Sequence, residues 1–406
     1  MNNKAGTDMV VQLDNGASIT IKQGATVGTV TVPAPSDDVF IDKSTQTVKI
    51  TGTTGGNFEG VTITPGGATT TINDTIDKVD VVLTATTTVG EGGNIVYTAS
   101  LVDKNGALVT NITNPLTVTL DNGKTITIGV NQSSGTVSVV APNDVYKGDQ
   151  TVTTVIKGVT GGEHFENLVP GTTPVNTTVT DTPGTTDLTS VTLTAPSAVN
   201  EGGQITYTAT LNNKAGTDMV VQLDNGASIT IKQGATVGTV TVPAPSDDVF
   251  IDKSTQTVKI TGTTGGNFEG VTITPGGATT TINDTIDDVT VSLKATGSVS
   301  EGGQIVYTAS LVDKNGAAVT NVGSDLVVKL DNGSTITIGN GKSSSTATAV
   351  APNDVYVGAN DVSTKITGVV SGGDKYEHLI VDGSTVVTKV TDVVNNTTIS
   401  ITGDAR

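Results

Sequence analysis

The sequence predicts an all-β chain of tandem immunoglobulin-like β-sandwich modules in an elongated array. Residues 212–287 reproduce residues 2–77 without a change, 210 positions apart. Looser copies fill the rest. Leu-Asp-Asn-Gly begins at Leu13, Leu120, Leu223 and Leu330, and Ala-Pro with an acidic loop begins at Ala34, Ala141, Ala244 and Ala351. Glu-Gly-Gly begins at Glu91, Glu201 and Glu301. A repeat of roughly 100 residues is too long for a solenoid unit and suits one small domain. Within each copy, apolar residues alternate with Thr, the period of half-buried strands.

The complete copy, residues 188–287, predicts seven short strands in order. Val191, Leu193 and Ala195 form the first inward row, and Ile205, Tyr207, Ala209 and Leu211 the second. Met219, Val221 and Leu223 supply the third, and Ile229 and Ile231 the fourth. Val240 and Val242 mark the fifth, Val258 and Ile260 the sixth, and residues 279–282 the seventh. Thr on the alternate positions suits a solvated pleated face. Asn225-Gly226 marks a tight turn after the third strand. Seven strands at this spacing give the sandwich architecture, without the disulfide and core Trp of antibody domains.

The module boundaries follow. Residues 78–187 and 288–392 carry a longer loop after the second strand (102–115 and 312–325), which 188–287 lacks. Residues 1–77 form a partial module without its first two strands, predicted to expose an apolar face and an unpaired edge. Met1 aligns with Leu211, a strand end, and residues 393–406 resemble an opening strand or tail. The chain is therefore read as a piece of a longer protein, with any secretion signal and anchor outside it.

Composition narrows the function. Asp and Glu number 39 against 21 Lys and Arg, a formal charge of −18. Such a surface repels nucleic acid and anionic membranes. No run approaches the ~20 apolar residues of a membrane helix, so no membrane insertion is expected in this segment. There is no Cys. A small extracellular module without disulfides needs another staple, and a metal is the obvious one.

Strand order shows where the carboxylates meet. In an antiparallel sandwich successive loops alternate poles. The turns after the first, third and fifth strands therefore share the pole at which the last strand ends. In residues 78–187 this collects Glu91, Asp121, Asp144 and Asp149, then Asp181 and Asp187. In residues 188–287 it collects Glu201, Asp224, Asp247, Asp248 and Asp252, then Asp284, Asp287 and Asp288. In residues 288–392 it collects Glu301, Asp331, Asp354 and Asp361, then Asp392. The next module faces this pole with a loop such as Gly265-Gly266-Asn267-Phe268-Glu269; Glu59, Glu166 and Glu377 occupy the place of Glu269.

Crowded carboxylates repel unless they are spread in solvent or held by a cation. Ca²⁺ takes 6–8 oxygen ligands in flexible geometry. Zn²⁺ would want Cys or His, and the chain has only His164 and His378. The expected ligands are Glu91, Asp121, Asp144, Asp181, Glu201, Asp224, Asp247, Asp248, Asp284, Asp287, Glu301, Asp331 and Asp354, with Glu269 and Glu377 from the facing loops. A competing reading stands beside this one, because Asp-Asn-Gly is also an ordinary hairpin turn. Glu is a poor turn former, so Glu91, Glu201 and Glu301 are the best individual candidates.

Other chemistry has little support. The two His read as exposed loop residues. No Ser, His and acid set recurs, so a hydrolase triad is not expected. Acid pairs at junctions, with few aromatics to stack on sugar, do not suggest a glycosidase. Gly161-Gly162 precedes no helix and is no phosphate loop. Phe58, Phe165, Phe268 and Tyr376 align and read as plugs over the core edge. No enzymatic activity is expected.

The pattern Val-x-Glu-Gly-Gly-x-Ile-x-Tyr-Thr-Ala at residues 199–209 resembles the extender repeats of giant bacterial RTX adhesins of the large adhesion protein type, exported by type I secretion. The Leu-Asp-Asn-Gly, Ala-Pro-x-Asp and Gly-Gly-Asn-Phe-Glu marks fit it too, over nearly the whole chain. The resemblance implies Ig-like extender modules that bind Ca²⁺, including at linkers, and hold a ligand-binding region away from the cell for attachment and biofilm formation. It implies an extracellular, cell-surface location and, as ligands at one junction, Glu201, Asp248 and residues 284–288. The linker 180–187, with Pro183-Gly184, is longer than 283–288. The nonapeptide repeats and retention module of that family are absent from this sequence. The alternative reading is a carbohydrate- or surface-binding sandwich module.

Overall fold

A computed structural model describes residues 1–181 and 187–403. The described residues contain strands, turns and bends and no helix. No helix long and apolar enough to cross a membrane is therefore present among them. The chain divides into two compact units, residues 1–184 and 185–406. Each is built from tandem β-sandwich modules. Pro183-Gly184 and the last three residues lie outside the described residues.

In the second unit, residues 188–287 form three small sheets. One runs Val237–Pro243, Gln204–Leu211, Leu188–Thr194, Gly270–Ile273. Another runs Ser228–Ile231, Met219–Leu223, Ile260–Gly265, and the third Ala198–Asn200, Ala278–Asn283, Ser254–Val258. The predicted rows point inward: Val191, Ile205, Tyr207, Ala209, Met219, Val221, Ile229 and Ile231 are fully buried. Burial of one face of each strand is the main source of stability, at roughly 1.5–3 kcal/mol per large apolar side chain.

Three details differ from the seven-strand expectation. The first strand is cut at Pro196 into Leu188–Thr194 and Ala198–Asn200, which join different sheets. Proline supplies no ladder N–H, but the same change of sheet falls at residues 86–87 and 296–297 in the other copies, where there is no proline. The sixth strand is cut at Lys259, again into two sheets, beside a register shift at Gln222/Leu223. Gly270–Ile273 is an additional strand, and it pairs parallel with Leu188–Val191.

Residues 288–392 repeat this plan, with a sheet ordered Ser344–Val350, Gln304–Asp313, Asp288–Ala295, His378–Val381. In the first unit, residues 78–181 repeat it once more around Val79, Val81, Ile95, Tyr97, Leu116 and Val118.

Residues 1–77 have a three-stranded sheet, Ser18–Ile21, Met9–Leu13, Ile50–Gly55, and a two-stranded one, Ser44–Val48 with Ala68–Ile72. Their core is small: Ala5, Met9, Val11 and Ile21. A groove of about 540 Å³ opens between the sheets, lined by Leu13, Ile19, Val30, Val32, Val48 and Ile50. In residues 188–287 the strand Gln204–Leu211 pairs with Val237–Pro243, the counterpart of residues 27–33, with Tyr207 opposite Val240.

Candidate metal centre between modules

The best-defined cluster lies in the second unit, where residues 188–287 meet residues 288–392. It is assembled by backbone contacts between loops. The Glu201 N–H donates to Asn283 O at 3.0 Å, tying the Glu-Gly-Gly turn to the end of the last strand. The Gly202 N–H donates to Pro245 O at 2.7 Å, tying the same turn to the acidic loop. Gly202 sits at φ +65°, a conformation that L side chains rarely adopt. A Cβ on Gly203 would lie 2.8 Å from Asn200 O. The two glycines thus let the turn fold flat and deliver Glu201 between the other loops.

Glu201 is 8% exposed. Its carboxylate lies within 4.8 Å of oxygens from Asp248 and Asp252 on one side, and of Asp284 and Glu377 on the other. Glu377 comes from the following module. Glu201 Oε2, Asp284 Oδ1 and Glu377 Oε1 are all buried with no hydrogen-bond partner. Burial pushes the Glu201 carboxyl up to about 7, aided by the hydrogen bond and charge of Asp252 and the charge of Asp284; the Asp248 backbone N–H opposes this. Glu377 is also raised, first by burial and then by the charges of Asp284, Asp287 and Asp247, against the Asp287 N–H. A cation would relieve all of this at once. The available donors are all oxygen, which suits a hard cation of the Ca²⁺ type and not Zn²⁺.

The remaining expected ligands sort differently. Asp247 accepts a hydrogen bond from Thr285 Oγ1 and stands beside Asp287. Asp287 is paired with Lys314 at 2.8 Å, a bond that, ahead of the rest, holds its carboxyl below the usual range. Asp224, Asp121 and Asp331 share one role. Each carboxylate accepts a backbone N–H, from Lys259 at 3.0 Å, Val155 at 3.3 Å and Lys365 at 3.2 Å. They fasten the point where the chain crosses between sheets, and none joins a group of three acids among the described residues. In these three the turn reading is the one the geometry favours.

At the end of residues 288–392, the fourth module after 1–77, 78–187 and 188–287, Glu301 is buried and its Oε2 accepts the Val393 N–H at 3.2 Å. Asp354 accepts the Tyr356 N–H at 2.7 Å. No three-acid group forms there among the described residues. In the first unit, Gln150 Nε2 donates to both Glu91 Oε1, at 3.4 Å, and Asp144 Oδ2. Asp181 accepts the Gly148 N–H at 2.9 Å. Glu269 is half-buried just before Gly270–Ile273.

Two features were not read from the sequence. Asp252 was placed at the correct pole but not among the ligands. Phe250 was not singled out, yet Val249 and Phe250 pack on the core of the next module. The available signal was an apolar triplet, Val249-Phe250-Ile251, inside an acidic loop. Tyr376, Phe165 and Phe268 are buried as core plugs. His378 is exposed and lies 2.6 Å from Asp288 Oδ1. His164, expected to be exposed, is half-buried and stacked on Phe40 at 5.9 Å, because the preceding module's loop covers it.

No curated protein matches this chain. Among solved structures it is similar to the adhesin InvE of Yersinia pseudotuberculosis, at 13% identity over 68% of this chain and 59% of that one, TM-score 0.19. It is also similar to latent PorU of Porphyromonas gingivalis (11%, 80% and 35%, TM-score 0.16) and to Escherichia coli alpha-2-macroglobulin (11%, 95% and 41%, TM-score 0.19). The chain thus spans less than two thirds of each of these proteins, and overlaps this slight have no bearing on its fold or function. The LapA domain model matches residues 1–75, 77–182, 187–285 and 287–393. Four successive matches cover nearly the whole sequence, and the chain belongs to the LapA domain family of large adhesion proteins.

Proposed function

We propose that this chain is an extender segment of a cell-surface adhesin, without enzymatic activity, whose module junctions take Ca²⁺ and stiffen. One observation carries the reading. Glu201 and Asp284 of one module and Glu377 of the next bring their carboxylates within 4.8 Å of one another, and each carries a buried oxygen with no hydrogen-bond partner. Left ionised and bare they repel, and the junction opens. With a divalent cation they share one positive centre, and the two modules are tied through it. Identity of the copies 2–77 and 212–287 supports a spacing role over recognition of a ligand by one module. Family membership supports an adhesin, and with it a location on the cell surface. Attachment in biofilms and type I export rest on the likeness to RTX adhesins.

Small-angle scattering of the chain in Ca²⁺ and in chelator tests the reading. The expected result is a larger maximum dimension and a stiffer profile in Ca²⁺. Equal curves would overturn it. Anomalous scattering from a crystal grown in Ca²⁺ would place the ion.

A further inference from the structure

A second set of contacts, made by apolar side chains and backbone groups, crosses the same junction on the loop that also carries Asp248 and Asp252. The third module's loop, residues 247–252, lays Val249 and Phe250 on the fourth module's core. Phe250 and Tyr376 form an isolated antiparallel bridge across the module boundary. The Ile251 N–H donates to Lys375 O at 3.0 Å, and the Glu377 N–H donates back to Val249 O at 3.1 Å. The two rings lie 5.2 Å apart at 35°. The arrangement recurs in the first unit. There Phe40 bridges Phe165, Ile41 N–H donates to His164 O at 3.1 Å, and Glu166 N–H donates to Val39 O at 3.1 Å. Val39 and Phe40 pack on the second module's core, and the rings are 5.2 Å apart.

We propose that this loop is a metal-independent latch. It keeps the third module docked on the fourth, and the first on the second, whether or not a cation occupies the acidic cluster. Apolar burial and backbone hydrogen bonds need no ion and are little weakened by salt. The latch contacts are apolar side chains and backbone groups, whereas the cation would be held by the side-chain carboxylates of Asp248 and Asp252 in the same loop and of Glu377. Cation release therefore removes the shared ion and leaves the docking contacts in place, so the modules do not separate. This goes beyond the stiffening role, because it assigns docking and stiffening to different chemical groups.

The Glu377 amide is the reporter, because its bond to Val249 O exists only while the modules are docked. Its peptide, Lys375-Tyr376-Glu377-His378, also has no copy elsewhere in the chain. Hydrogen exchange of the full chain is measured in Ca²⁺ and in EDTA. The expected result is a protected Glu377 amide in both. Phe250→Ala should lose that protection in EDTA while Val328 and Leu330 in the fourth-module core stay protected. Free exchange of Glu377 in wild-type protein in EDTA would overturn the latch, whatever the variant does. So would full protection in a folded Phe250→Ala chain. Absence of Ca²⁺ binding would defeat the stiffening reading and leave this measurement unaffected.

Discussion

The Asp287 N–H donates to Glu377 Oε2 at 2.8 Å, while Glu377 Oε1 is buried with no hydrogen-bond partner. One oxygen of this carboxylate orders the linker, and the carboxylate stands within 4.8 Å of oxygens of Glu201 and Asp284. The linker contact recurs in the first unit, where Asp77 N–H donates to Glu166 Oε2 at 2.8 Å.

That division of labour makes Glu377→Gln informative. The amide oxygen still accepts from Asp287, but the charge is gone. Calorimetric titration with Ca²⁺ should show one site weakened about tenfold or more, as expected for loss of a charged ligand. Unchanged affinity at every site would remove Glu377 from the ligand set.

The pH dependence follows from Glu201. Its carboxyl is raised from 4.5 to about 7 in the folded chain. The folded state therefore keeps a proton that the unfolded state has lost. Its stabilising contribution is full below about 4.5 and disappears as pH rises through about 7. In chelator, the third module should lose on the order of 1–2 kcal/mol between about pH 5 and about pH 8, allowing for solvent screening. Glu201→Gln should flatten that slope in thermal melts. Ca²⁺ should reverse it, since the ion needs the ionised form.

The buried tyrosines predict a stabilising substitution. Tyr97 OH and Thr154 Oγ1 are 2.9 Å apart, and Thr364 Oγ1 donates to Tyr307 OH at 3.0 Å. In the third module Val258 stands at that position, and Tyr207 OH is buried without a partner. Val258→Thr should raise stability by about 0.5–1.5 kcal/mol if the hydroxyls meet. Tyr207→Phe should be neutral or stabilising, whereas Tyr97→Phe should cost about 1 kcal/mol by stranding Thr154. Denaturant titration distinguishes these outcomes; a cost for Tyr207→Phe equal to that of Tyr97→Phe would refute the argument.

Limited proteolysis should attack residues 1–77 before their twin at 212–287. Val30 and Val32 are each 40% exposed in the first copy, and their edge has no partner strand. Intact mass of the surviving fragment identifies the site, because the twin segments yield identical peptides. Early cleavage within 212–287 would contradict the expectation.

Much of this was legible in the chain. The Glu-Gly-Gly, Leu-Asp-Asn-Gly and Ala-Pro marks located the turns, and the Thr alternation located the inward rows. Asp224 and its counterparts stayed open between turn and ligand in the sequence because a carboxylate in a turn looks alike there whether it accepts an N–H or a metal. The latch escaped notice because contact between Phe250 and Tyr376 spans a module boundary, and no local pattern records it.

The twin segments show the limit most plainly. By themselves these residues determine the hairpin Met219–Leu223/Ser228–Ile231, which appears identically as Met9–Leu13/Ser18–Ile21. Val237–Pro243 is a strand paired with Gln204–Leu211. The same residues at 27–33, with no such neighbour, form no strand. Gly270–Ile273 pairs with Leu188–Val191, and its twin at 60–63 is likewise not a strand. A hairpin closes on a local turn, so its sequence is enough. A strand between sheets needs a distant partner for its N–H and C=O groups and a core for its apolar face. The meeting of Glu201, Asp284 and Glu377 depends on such distant partners too, and only the tertiary structure decides it.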